Sequence, residues 1–265
     1  MMPQFDEIQR RGLAVRTVAE DGALAPRIGA LSDSIWPRFV VEAHTPRNHP
    51  YPADWPGIFA RWPQYQFGLL DQDTDELVGA AHALSFAWDG AGADLPDFGW
   101  DWAMWQGKQD YLAGATPHTM CALSITVDPR YRGQGLSTLL VSIMRDATAR
   151  AGFTRLLAPV RPTLKHRYPI TPMAVYANWR NQRGEPLDPW MRVHARLGAT
   201  IAKPCDKSMN LAGSVVDWES WAEIPFPTSG AYIFPGLFAP VVIDRESDEG
   251  VYVEPNVWMV HDVSA

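Results

Sequence analysis

The segment "VDPRYRGQGLSTLLVSIM" sets Arg130, Gly133 and Gly135 in an RxxGxG spacing, between a β-like run and an apolar, helix-like one. The chemistry this spacing allows is phosphate binding. The first backbone N–H groups of a helix lack internal partners and carry the positive end of its dipole, so a glycine-rich entry lets linked phosphates reach them without Cβ obstruction. Arginines at the rim add charge. Taken alone, the two glycines would serve equally as a tight turn into the helix. A dinucleotide fingerprint would require a third glycine near Thr138 and a P-loop would require Gly-Lys-Ser/Thr, so neither of those cradles is present.

A second group with chemical potential lies upstream, in "FGWDWAMWQGKQDY", where Trp100, Trp102, Trp105 and Tyr111 alternate with Asp97, Asp101 and Asp110. Aromatic faces beside carboxylates are what a site for a bulky or cationic amine needs, through cation–π attraction and charge pairing. The same rings would also make a small satellite core under a long loop. Downstream, "RPTLKHRYP" gathers Arg161, Lys165, His166 and Arg167, suited to an anionic group or to a solvated loop.

These residues need a scaffold. "LAVRTV" alternates like a half-buried strand, and Leu24, Ile28, Leu31, Ile35 and Phe39 follow at helical spacing, with Pro37 predicting a break near the end. The Pro- and aromatic-rich residues 44–63 predict one short helix around 57–61. "YQFGLLD" and "ELVGAAHALSFAW" read as a hairpin joined by "QDTD". Residues 89–118 then form an excursion too long for an ordinary connection. "TMCALSITV" is a strand leading into the RxxGxG turn. Beyond it Leu136, Leu139, Leu140, Ile143, Met144 and Ala147 mark an amphipathic helix. "TRLLAPV" follows as a strand, completing a βαβ unit with a right-handed crossover. Residues 188–197 predict a short helix, and the remainder, including the charged turn "DRESDEG", reads as strands. The class is α+β with a mixed sheet.

The string "ITVDPRYRGQGLSTLLVSIM", followed by "AGFTRLLAPV", resembles the coenzyme A loop of the GNAT superfamily of acyl-CoA-dependent N-acyltransferases. That resemblance implies a mostly antiparallel sheet with one splayed parallel strand pair, flanked by helices. It also implies acetyl-CoA or another acyl-CoA as co-substrate. The CoA-binding residues would be Ile125 and Val127 on the strand and Arg130, Tyr131, Arg132, Gly133, Gln134, Gly135, Leu136 and Ser137 in the turn. Amides of residues 131–136 would meet the pyrophosphate, and those of the "CALSITV" strand would stabilise the oxyanion. The family's late "YxxxGF"-like helix corresponds to "VHARLGA", where His194 replaces the acidic tyrosine. Tyr176 is a second acid candidate, and Ser124 is a water-holder on a strand with no carboxylate to serve as base. The acceptor would be a small-molecule amine, contacted by Trp100, Asp101, Trp102 and Trp105. The GNAT-like domain is expected over residues 1–212 with its insertion at 89–118. A C-terminal β-rich extension, 213–265, is expected to pack on it, completing the sheet, covering the acceptor cleft or pairing two subunits as a homodimer.

Composition agrees with these limits. Lys plus Arg number 23 against 30 Asp plus Glu, a formal charge of −7 that argues against a nucleic-acid partner and would attract a cation. Two cysteines make no disulfide framework, the N-terminus has no signal-peptide core and no apolar run spans a bilayer, so a cytoplasmic protein without a membrane partner or a metal is expected. Against direct acyl transfer to an amine stand altered chemistry on the same fold (a longer acyl or carrier-protein thioester, or decarboxylation) and a non-catalytic acyl-CoA sensor.

Overall fold

The computed structural model describes residues 3–263. In chain order the helices are α1 (Pro3–Arg10), α2 (Leu24–Asp33), α3 (Arg38–Glu42), α4 (Gly57–Arg61), α5 (Gly99–Ala113), α6 (Leu136–Arg150), α7 (Met173–Tyr176), α8 (Pro189–Arg196) and α9 (Val215–Ala222). The strands are β1 (Leu13–Thr17), β2 (Gln66–Asp71), β3 (Leu77–Phe86), β4 (Thr119–Val127), β5 (Arg155–Val160), β6 (Thr200–Gly213), β7 (Gly230–Tyr232), β8 (Val241–Asp244) and β9 (Glu249–Asp262). They form one sheet in the order β1-β2-β3-β4-β5-β9-β8-β7, with β6 on the other edge of β9. Every pairing is antiparallel except β4 with β5. The expected α+β class with a mixed, mostly antiparallel sheet is therefore found.

The two faces of the sheet have different roles. On one, the apolar stripe of α6 packs with Val78, Ala81, Ala83, Met120, Ala122 and Leu156. Leu136, Leu139, Leu140, Ile143, Met144 and Ala147, the residues picked out by spacing, are all buried. Each of the larger ones contributes roughly 1.5–3 kcal/mol by leaving water. On the other face, α4 and α5 cover Leu84, Phe86, Cys121, Leu123 and Leu157. Pro37 ends the α2 region and caps α3, as its fixed φ and missing N–H require.

Two expectations change here. The excursion over 89–118 holds the 15-residue helix α5, integral to the second core and tied to β9 by the Trp258 indole, which donates to Pro96 O at 2.8 Å. The segment expected as an extension, 213–265, completes the sheet from within rather than at an edge. β9 lies between β5 and β6, pairing with β5 from Arg155↔Asp262 to Val160↔Val257 and with β6 from Thr200↔Val260 to Gly213↔Gly250. The C-terminal strand is thus central to the sheet, and the added material is the segment before it, α9, β7 and β8, which closes a separate core around Trp218, Phe226 and Tyr252.

Candidate active site

The parallel pair opens as the resemblance implies. β4 and β5 pair only at Thr119↔Arg155, Met120↔Leu156 and Cys121↔Leu157, while β5 stays with β9 out to Val160. Past Cys121 the β5-facing edge of β4 has no strand partner among the described residues. Its other edge is disturbed at the same point. Ala122 pairs with Ala83 and Ser124 with His82, leaving Leu123 as an extra residue in a β-bulge. A bulge beside a splay leaves main-chain groups of β4 without ladder partners, and unpaired N–H groups are what an oxyanion requires. Trp100 holds this bulge, its indole N–H donating to Leu123 O at 3.1 Å.

The RxxGxG turn delivers the cleft's other end. Gly133 and Gly135 have φ of +79° and +76°, a region costly for residues with a Cβ. A Cβ on Gly133 would meet nothing within 4 Å, so the surface above the turn is open to a ligand. Gly135 is the N-cap of α6, and no side chain caps that helix. The turn therefore fits a diphosphate on the amides of residues 133–137. The amides of Tyr131 and Arg132 are already spent within the turn, on Asp128 O and Pro129 O, which removes them from the expected set. The Arg130 side chain is also committed, to Asp128 and Glu76, and Tyr131 Oη donates to Glu76. These contacts clamp the turn to the β2–β3 hairpin, and they hold the Asp128 carboxyl below its ordinary pKa, chiefly through Arg130. Arg132 is exposed at the rim, and Ile125 and Val127 turn their side chains onto the α6 core while their backbones line the open edge.

The acid candidates separate. His194 is buried at 2% exposure, and its Nδ1 lies 2.9 Å from His261 Nε2. His261 sits across from Leu156, at the joined end of the parallel pair. Burial, with His261 adding to it, lowers the His194 pKa to about 3, so at neutral pH the ring is held as the uncharged imidazole, hydrogen-bonded to His261. The structure thus places His194 beside the joined strands rather than at the gap where the expected acid would work. Tyr176 does stand at the open end. Its hydroxyl donates to Asp188 Oδ2 at 2.8 Å, and the same oxygen accepts from Leu164 N, four residues past β5. Asp188 Oδ1 meanwhile caps α8. Burial first, then Asp188, push the Tyr176 pKa up, so it keeps its proton and its hydroxyl ties α7, α8 and the end of β5 together.

The face opposite α6 carries the acceptor candidates. Trp100 stacks on Trp55 with centroids 5.7 Å apart and planes at 28°, and Trp55 meets the His82 ring at 4.9 Å. Ser124 and His82 are directly opposed across β3 and β4, so their side chains share this face. Ser124 Oγ is shielded from solvent and has no hydrogen-bond partner. Trp100 N donates to Ser208 Oγ, which also accepts from Asn256. That approach depends on Gly99, where a Cβ would stand 2.2 Å from Ser208 Oγ. Asp101 is buried and accepts from Asn210 N and Nδ2, with His49 Nε2 at 3.4 Å, and burial raises its pKa. It braces α5 on β6. Trp102 packs on Phe86, Trp88 and Trp258, and Trp105 on Tyr51. Of the four expected acceptor contacts, Trp100 reaches the bulge, Asp101 and Trp102 serve the fold, and Trp105 lies one layer out. His82 was missed by sequence reasoning, although a histidine within the apolar "LVGAAHALSF" run was the available signal.

Comparison with known proteins agrees with this geometry. The sequence model of the Acetyltransferase (GNAT) family matches residues 30–168. The arginine N-acetyltransferase avaD of Aspergillus versicolor is 30% identical over 254 residues, covering 87% of this chain and 86% of that protein. Among solved structures, the loading GNATL domain of CurA from Lyngbya majuscula aligns with a TM-score of 0.53 at 19% identity, covering 95% of this chain and 98% of that one. The GphF GNAT-like decarboxylase in complex with isobutyryl-CoA aligns at 0.52 and 18% identity, covering 95% and 99%. At those identities the two structures speak for the fold alone. Family model and relative together establish that the chain belongs to the GNAT acetyltransferases and is an acyl-CoA-dependent N-acyltransferase.

Proposed function

We propose that the protein transfers an acetyl group from acetyl-CoA to a nitrogen of arginine or a closely similar guanidino amine. The observation that carries the acceptor is the kinship, at 30% identity across most of both chains, with an arginine N-acetyltransferase. The site is compatible with it. The stacked Trp55 and Trp100 indoles offer flat faces of the kind a guanidinium packs against, and the net charge of −7 favours approach of a cation.

The placement of groups supports the following mechanism. Amides at the entry to α6 hold the diphosphate, the thioester lies in the gap between β4 and β5, and N–H groups at the bulge meet its carbonyl oxygen as charge develops. The amine nitrogen attacks the carbonyl carbon, the C–S bond breaks, and the proton lost by nitrogen ends on the departing sulfur. Ser124 Oγ, unpartnered beside the bulge, is placed to take an N–H of the acceptor or a bridging water. Thiol release from acetyl-CoA, measured with arginine beside a panel of other primary amines and checked by the product's mass, tests the proposal. Release with arginine above the rest is expected, and release with other amines but none with arginine would remove the acceptor while leaving the transferase.

A further inference from the structure

We propose that His82 Nε2 is the group that receives the acceptor: a neutral imidazole nitrogen that takes an N–H of the attacking amine and so aims the nitrogen lone pair at the thioester carbon. The tautomer comes from the surrounding network. Gln66 Nε2 donates to Trp62 O and Ala83 O, both at 2.9 Å, which fixes the Gln66 Oε1 as an acceptor. His82 Nδ1 lies 2.8 Å from that oxygen, so Nδ1 carries the hydrogen and Nε2 keeps its lone pair. Nε2 is buried, with no hydrogen-bond partner, in a residue of 0% exposure.

An orphaned lone pair in a packed interior is costly unless something else satisfies it. Its position says what that is. His82 stands across from Ser124 at the bulge, on the face of the sheet away from α6, under the Trp55 ring that stacks on Trp100. With the CoA chain entering from the α6 end, this is the face of β4 left for a nucleophile, and the Trp55 ring that covers Nε2 is what an entering acceptor would displace. Burial lowers the His82 pKa to about 3, so the nitrogen stays an acceptor throughout the physiological range. β4 supplies no carboxylate, and His82 is the buried nitrogen with a free lone pair beside the bulge.

This inference rests on the proposed acetylation of arginine, and two measurements keep the two apart. In protein with ¹⁵N-labelled imidazoles and saturated with CoA, added arginine should move the His82 Nε2 resonance toward the value of a hydrogen-bonded nitrogen. His82→Leu should lower kcat/KM for arginine at least tenfold, while KM for acetyl-CoA stays within twofold. A stationary resonance at saturating arginine, with a variant inside twofold of wild type, overturns the assignment. If the variant does not fold, the resonance decides. If the wild type releases no thiol with arginine, the acceptor proposal falls by itself, and the resonance is then read against ethylamine, where a stationary signal overturns the role of His82.

Discussion

Tyr176 and His194 would look interchangeable in a list of acids, but their surroundings give them different work. The Tyr176 hydroxyl is committed to Asp188, whose other oxygen caps α8. Tyr176→Phe would leave a buried carboxylate lone pair unpaired, at a cost of about 1–3 kcal/mol. The expected outcome is a lower melting temperature with kcat within about threefold of wild type, since general acid catalysis is usually worth about 10²-fold or more. Parallel melting curves and steady-state rates check this, and a hundredfold loss of kcat at unchanged melting temperature would restore Tyr176 as the proton donor.

At the scale of elements, β4 is shaped by its neighbours: β5 leaves it after Cys121, β3 skips Leu123, and α5 pins the bulge through Trp100. Trp100→Phe keeps a ring against Trp55 but loses the N–H to Leu123 O. A bulge free to shift would misplace the oxyanion donors, so kcat should fall roughly tenfold with little change in KM for acetyl-CoA. The turn into α6 invites a complementary test. Gly135→Val forces a branched residue to φ near +76° at the N-cap of α6, next to the amides that would meet the phosphates. That conformation costs a branched residue about 1–2 kcal/mol, so the turn should relax away from the geometry the phosphates need, and calorimetry should find CoA binding weakened tenfold or more. The strand, turn and helix at 119–150 were legible from sequence because each signal is local: alternation, RxxGxG and a clean helical period. α5 was not, since its Asp101, Trp102, Ala103, Met104 and Gly107 are all buried and leave it no strong polar-apolar contrast. The pairing of β9 with β5 was equally hidden, because partners such as Val160 and Val257 lie far apart in the chain and nothing local in either strand names the other.

At the scale of the whole molecule, the sheet buries three imidazoles that titrate together with folding. Burial lowers His82 and His194 from 6.5 to about 3 and His261 to about 4. Below pH 6.5 the unfolded chain binds protons at these positions that the native state refuses. Their contribution is therefore present above about pH 6.5 and is lost as pH falls toward 4, at about 2 kcal/mol for each histidine by pH 5. Asp101 acts in the opposite sense, because burial raises its pKa and the native state takes its proton early. Burial raises Asp146 as well and lowers His49 along with the other three imidazoles, so four groups against two leave a net loss and the melting temperature should fall from pH 7 to pH 5. His194→Phe separates this stability effect from catalysis, since the ring meets Trp190 and His261 at the joined end of the parallel pair, away from the bulge. It removes one of these protons, so the slope of melting temperature against pH should become shallower while kcat holds within about threefold. An undiminished slope in calorimetric scans, or a hundredfold loss of turnover, would show that the imidazole is either protonated in the native state or in contact with the reacting groups.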